Sequence, residues 1–467
     1  MNYLKLAFTS RALEGGETPD SFFGRLRGTY SILFQSGGSG RYSYIAFDPF
    51  AVSWSRNGLT QLSCLRDFFD WKKSMVTRLA DGRPLGVLRR LYRHFEFKGK
   101  SPVPFPGGMA GFLGYDFGAS LMGIRQRVFD DVKLPDFVFC FYDKVIVFDH
   151  ENNEVIFLAL DETDLKAAKK ADGILKQLGR ASWLVRAGDL GPLKSNISLD
   201  QYYDKISRIK SYLQCGETYQ VNFSQRFSAP CTLDPWKVYL KLFKINPSPY
   251  SCFFDFPDFQ IASSSPELLL NKRSDNLCTR PIKGTVARVG TASADRRNVR
   301  KLVLSKKDRA ELDMIVDLER NDLGKVCVPG SIHVTEHRAV EKYAHVIHTV
   351  STVNGKLSDK KDFFDAVEAL FPGGSITGCP KRRTMEIIDK LEDYKREVYT
   401  GSGGFLGFSG DGDLNILIRT ILFKDGKLFF HSGGGIVIDS NPDKEYRESL
   451  DKAESLCKAL ADSSGGS

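Results

Sequence analysis

Ile416-Leu417-Ile418-Arg419-Thr420-Ile421-Leu422-Phe423 and Leu428-Phe429-Phe430 flank the tetrapeptide Lys424-Asp425-Gly426-Lys427. Asp-Gly between two apolar runs signals a two-residue type I′ turn, whose central residues both take φ > 0. The turn fixes the register of the hairpin. With Lys424 opposite Lys427, Arg419 faces Ser432, directly before Gly433-Gly434-Gly435. Bare backbone N–H groups beside a guanidinium can hold a carboxylate. The other glycine-rich stretches, Gly37-Gly38-Ser39-Gly40, Gly107-Gly108 and Gly373-Gly374, read as turns. None is a nucleotide-binding loop.

Working outward, the chain reads as antiparallel strands joined by helices. Residues 29 to 54 and 136 to 160 read as strands, with a hairpin around His150-Glu151-Asn152-Asn153. Asp161 to Gly179 is helical and charged, and residues 180 to 197 lack periodicity. A boundary is expected there, between residues 1–185 and 195–460, with a linker-like tail over 461–467. Ser198-Leu199-Asp200-Gln201 forms a capping box for a helix with Ile206, Ile209 and Leu213 on one stripe, ending near Gly216. A strand beginning at Tyr219-Gln220-Val221 follows it.

The 467 residues are 42 % apolar and 26 % charged, enough for a large core and too apolar for a disordered chain. Lys+Arg 66 against Asp+Glu 57 leaves +9, spread through mixed runs such as Ser305-Lys306-Lys307-Asp308-Arg309. This suits an anionic small molecule or an acidic partner better than a nucleic acid. No apolar run approaches 18 residues and no signal sequence is evident, so neither membrane nor secretion is expected. Nine scattered cysteines without CxxC spacing read as free thiols of a reducing cytoplasm and argue against a thiolate zinc site.

The candidate chemistry lies in a few acids and bases. Glu445 and Glu448 are i, i+3 on one helix face, and Glu311 sits on another helix. Taken alone they are solvated faces; if they converge, oxygen ligands from two helices suit Mg²⁺. Lys283, in Pro281-Ile282-Lys283-Gly284-Thr285, is an exposed strand-end lysine or, if buried, a nucleophile with a lowered pKa. His345 and His348, without further ligands nearby in sequence, read as structural.

Together these segments resemble the chorismate-utilising enzymes, and within them the aminodeoxychorismate synthase component I subfamily. The resemblance runs from Phe34-Gln35-Ser36-Gly37 and Pro104-Phe105-Pro106-Gly107-Gly108 through Gly216-Glu217-Thr218-Tyr219-Gln220 and Ser265-Pro266-Glu267-Leu268. It continues through Pro281–Thr285, Asp317-Leu318-Glu319-Arg320-Asn321-Asp322, Phe371-Pro372-Gly373-Gly374-Ser375-Ile376-Thr377 and Gly433-Gly434-Gly435. It implies an α+β fold of two large antiparallel sheets packed as a sandwich with helices outside, the N-terminal part interleaved with the catalytic part.

It also implies roles. Glu311, Glu448 and Glu445 would hold Mg²⁺ against the ring carboxylate of chorismate. Arg419, Gly434 and Gly435 would grip the enolpyruvyl carboxylate, with Thr377, Lys452, Tyr399 and Gln220 also at the substrate. Lys283 would attack C2 and displace the C4 hydroxyl, protonated by Glu267, before ammonia enters at C4; His348 matches an active-site histidine. Anthranilate synthases carry alanine in place of that lysine. Gln220 stands where water-using relatives have a lysine, which disfavours water chemistry. Ser36 resembles part of a tryptophan pocket. Leu312-Asp313 departs from the usual polar-then-apolar pair beside Glu311. No Gly-x-Cys-x-Gly elbow is present, so a separate glutamine amidotransferase subunit is expected to deliver ammonia. The competing readings are an anthranilate synthase component I and a non-catalytic chorismate or tryptophan binder.

Overall fold

The computed structural model describes residues 2–38, 40–79, 83–178, 188–343 and 346–464. Asp425 and Gly426 take φ of 51° and 69°, and Leu422 pairs with Phe429, Phe423 with Leu428 and Lys424 with Lys427, as the turn chemistry requires. The ladder stops there. Arg419 has φ 51° and leaves the strand, so it does not pair with Ser432 as the register implies. Its carbonyl instead accepts from Ser264 N at 3.1 Å, on the neighbouring strand Phe259–Ser265.

The described residues form two large sheets of 13 and 12 strands, antiparallel except where Asn2–Ala12 pairs with Phe95–Phe97. Each sheet is assembled from both ends of the chain. In the larger, Tyr250–Asp255 pairs with Ser31–Gln35; in the smaller, Ser402–Gly407 pairs with Gly108–Leu113. At the second seam Gly404 lies opposite Gly111, and a Cβ on Gly111 would stand 1.9 Å from the Val138 carbonyl, so only glycine fits.

The sheets pack face to face over Ile32, Val147 and Phe254 from one and Val52, Phe112 and Phe405 from the other, all buried. Helices cover the outer faces: Pro235–Ile245 and Pro442–Ser464 on the larger sheet, Lys306–Gly324 and Phe363–Leu370 on the smaller. The sandwich with outer helices is the expected architecture.

The helix Leu199–Gln214 opens on the expected capping box, Ser198 accepting from Gln201 N, and the strand after it is Gln220–Pro230. Lys194–Ser195, inside the aperiodic stretch, adds an edge strand to it; residues 180–187 lie outside the described residues. The C-terminal helix runs on to Ser464, where the composition suggests a linker. Ser463 is buried there, its hydroxyl donating to the Ala459 carbonyl at 2.7 Å and its carbonyl accepting from Lys237 Nζ at 3.1 Å. Residues 465–467 lie outside the described residues. All nine cysteines are free, and no helix among the described residues is long and apolar enough to cross a membrane.

Candidate active site

A cavity of about 1040 Å³ opens between strands of both sheets, the helix Lys306–Gly324 and the C-terminal helix. Glu267, Lys283, His348, Tyr399 and Arg419 line it, with Glu311, Glu448 and Lys452 on the helical side. Residues spread over 185 positions of sequence thus meet in one chamber.

Arg419 marks one end. Its left-handed backbone takes the side chain out of the strand and into the cavity, where Nη1 donates to Asn246 Oδ1 at 3.3 Å. Among the described residues no carboxylate lies within ion-pair distance of it. Burial alone pulls its pKa down to about 10. A shielded guanidinium without a counter-ion is a receptor for an anion. Gly433 and Gly435 also line the cavity, and Gly434 lies between them.

Carboxylates gather along the two helices. A Cβ on Gly434 would stand 3.4 Å from Glu448 Oε1, 3.5 Å from Lys452 Nζ and 3.7 Å from Glu445 Oε2, so these groups share one spot. Lys452 Nζ lies 2.7 Å from Glu448 Oε1 and donates to the Gly433 carbonyl at 3.1 Å. That ammonium holds the Glu448 carboxyl below its ordinary range. Lys307 bridges the helices, 3.0 Å from Glu445 Oε1 and 3.8 Å from Glu311 Oε1. Glu445 Oε2 and Glu311 Oε1 are nevertheless buried without a hydrogen-bond partner, and burial pushes the Glu311 carboxyl up. Two orphaned carboxylate oxygens beside a third acid fit a divalent cation. Among the described residues no three such groups are already drawn round one point, so a cation would have to gather them.

Leu312 and Asp313, the departure beside Glu311, leave this arrangement intact. Leu312 is fully buried against the smaller sheet, and Asp313 turns outward to pair with Arg338 and with His337 at 3.2 Å.

Lys283 lines the same cavity. The strand Ile282–Ala287 slips register at Gly284, whose φ is 71°, and Lys283 Nζ donates to the Ser375 carbonyl at 3.0 Å. Burial lowers its pKa, partly opposed by Glu311 and Glu267. Glu267 is buried too, Oε1 accepting from Ile282 N at 3.3 Å, and burial raises its pKa against the pull of Ser375 and Lys283. Opposed shifts in neighbouring acid and base are the pattern of a proton-transfer site. His348 is held through Nδ1 by the Thr285 hydroxyl at 2.8 Å; its Nε2 is buried without a partner, and burial brings its pKa down to about 3.

The profile of chorismate binding enzymes matches residues 30–458. The chain belongs to that family. Among the relatives of this chorismate-binding enzyme, aminodeoxychorismate synthase component 1 of Bacillus subtilis is 38 % identical over 443 residues, covering 92 % of each chain. Anthranilate synthase component 1 1 of Haloarcula marismortui is 37 % identical over 408 residues, covering 83 % of each. The crystal structure of anthranilate synthase component I from Streptococcus pneumoniae superposes with a TM-score of 0.78 at 31 % identity, covering 96 % of this chain and 99 % of that one.

Other residues expected at the site of the chorismate-binding enzyme lie around the chamber rather than on its lining. Thr377 is fully buried, its hydroxyl donating to the Gly373 carbonyl at 2.8 Å. Gln220 is buried behind Gly435, with both amide atoms unpartnered. Ser36 accepts from Gly40 N at 2.8 Å within its own loop. His345 lies outside the described residues. Sequence reasoning missed Asn246, Lys307 and His431. His431 lines the cavity and stacks on Tyr399, ring centroids 5.0 Å apart at 7°. Its alternation along the strand after the Asp-Gly turn was a signal; Asn246 and Lys307 carried none.

Proposed function

We propose that this chorismate-utilising enzyme aminates chorismate at C4, the aminodeoxychorismate synthase component I reaction. The observation that carries the reading is Lys283, with its lowered pKa, set in the cavity between a buried acid and an unpaired guanidinium. Chorismate carries two carboxylates, and the chamber offers a place for each: the Arg419 guanidinium for one, and for the other the acids of the two helices, gathered beside Gly434. Glu311, Glu445 and Glu448 would hold Mg²⁺, which when bound supplies the positive charge that fixes the ring carboxylate. Arg419 then holds the enolpyruvyl carboxylate and sets the ring across Lys283.

The neutral Lys283 amine forms a bond to C2 as both ring double bonds shift and the C4 hydroxyl leaves as water, taking its proton from Glu267. Ammonia adds at C4 and gives a proton back to Glu267, both double bonds shift back, and the C2–nitrogen bond breaks to release the lysine. The balance is chorismate plus ammonia to 4-amino-4-deoxychorismate plus water, with pyruvate retained. Glu267, whose pKa burial raises, suits the acid role. A glutamine amidotransferase subunit would supply the ammonia, as the "component 1" in the relatives' names suggests; folate and 4-aminobenzoate synthesis is the pathway this product serves.

A second reading, anthranilate synthesis, is favoured by relatives of that name at 37 to 39 % identity. The test is one incubation of purified protein with chorismate, Mg²⁺ and ammonium salt, with products identified by mass spectrometry. A product that keeps the enolpyruvyl group and exchanges hydroxyl for amine is expected. Anthranilate with free pyruvate overturns the reading.

A further inference from the structure

The acid that holds the lysine's cradle lies outside the cavity. Glu319 sits on the inner face of the helix Lys306–Gly324, 2 % exposed, and does not line the chamber. Its Oε1 accepts from Gly374 N at 3.2 Å, and Thr279 Oγ1 lies 3.5 Å from its Oε2. Gly374 opens the turn Gly374–Ile376, and the next residue, Ser375, presents the carbonyl that accepts from Lys283 Nζ at 3.0 Å. Thr279 is the last residue but one of the strand Asn276–Arg280, from which the chain crosses at Pro281 into the strand that carries Lys283. One carboxyl therefore touches both segments between which the lysine is held.

The arrangement is costly, which argues that it does more than fill space. The nearby ammonium of Lys381 is already taken by Asp322 at 2.6 Å and the Leu370 carbonyl at 2.7 Å. Burial, only partly offset by Lys381, lifts the Glu319 carboxyl to about 7, with Asp322 and Glu267 adding to the rise. Leu318 packs so tightly on Gly374 that a Cβ there would stand 2.6 Å from its Cδ2. An apolar side chain at 319 would avoid the cost of burying a carboxyl but leave the Gly374 N–H without an acceptor.

We propose that Glu319 is a positioning residue for Lys283: by fixing Gly374 it aims the Ser375 carbonyl, which holds the lysine amine toward the ring of the substrate. The inference rests on the reading of Lys283 as the group that acts on chorismate. With one N–H donated to Ser375, the free amine keeps its lone pair pointed into the cavity.

Glu319→Met keeps the length of the side chain and removes the acceptor; Glu319→Gln keeps an acceptor oxygen. In ammonia-dependent turnover, E319M is expected to lose about tenfold or more in kcat with KM for chorismate within about threefold, while E319Q stays within about threefold in both. Acetic anhydride labelling of the protein alone, read at Lys283 against Lys452, is expected to rise in E319M and to match wild type in E319Q. Unchanged kcat and labelling in a folded E319M overturns the proposal. So does an E319Q as impaired as E319M. Failure of the C4 reading shows separately, as anthranilate in the product analysis with the labelling contrast intact.

Discussion

The ammonium of Lys307 stands 3.0 Å from Oε1 of Glu445, on the side of that carboxylate away from its unpartnered Oε2. A lysine thus neutralises part of the acid cluster that would otherwise repel itself, and a divalent cation entering the cluster meets a competing charge. Lys307→Met should tighten Mg²⁺ binding by about 3- to 10-fold, read by calorimetry. Weaker binding would mean that Lys307 orders the acids rather than competing for them. Glu448→Gln, which removes a candidate ligand charge, should lose Mg²⁺-dependent turnover.

Lys283 and Glu267 shift toward each other, the lysine down by burial and the acid up by burial. The covalent route needs a neutral amine and a protonated carboxyl. The productive form needs both, so kcat/KM is a bell that rises up to the lower of the two pKa values and falls beyond the higher. Glu267→Gln should lose about 10²-fold or more and retain no falling limb. Lys283→Ala should lose most C4 amination, checked by product mass. Wild-type C4 rates in that variant would remove the covalent route.

What could be read from the sequence was whatever local chemistry fixes. The Asp425-Gly426 turn set the pairing of Leu422 with Phe429, and helical spacing put Glu445 and Glu448 near one spot. Arg419 was found for a reason only half right: it reaches the cavity by leaving the strand with φ 51°, which alternation along a strand cannot foresee. The tail to Ser464 reads as linker by composition, yet Lys237, from a helix more than 220 residues away, anchors it. Asn246 and Lys307 were invisible because their roles arise from contacts across 173 and 138 residues. Lys283 could be flagged, but only tertiary burial separates it from an exposed lysine.

His348 has a folded-state pKa near 3, brought down by burial, against an ordinary 6.5. The unfolded chain takes up a proton that the folded chain refuses. The stability associated with this group is thus fully present above pH 6.5 and lost as pH falls, at up to about 1.4 kcal/mol per pH unit. His348→Asn removes that uptake. The urea midpoint should fall less between pH 7.5 and pH 5 in the variant than in wild type. An equal fall in both would show that His348 is protonated in the folded protein. In activity, wild type should show no limb near pH 6.5 that disappears with His348.

Arg419 tests the anion end through stability as well as turnover. Burial that pulls a guanidinium down to about 10, compensated among the described residues by one 3.3 Å hydrogen bond to Asn246, destabilises the protein without ligand. Arg419→Met, of similar length and uncharged, should therefore raise the melting temperature of the ligand-free protein by about 1–3 °C. The same change should raise KM for chorismate by about 10²-fold if the guanidinium holds a substrate carboxylate as proposed. A small carboxylate such as pyruvate should stabilise wild type against heat and leave the variant unmoved. If the variant melts lower than wild type and still responds to pyruvate, the guanidinium is a structural element and the carboxylate binds elsewhere in the chamber.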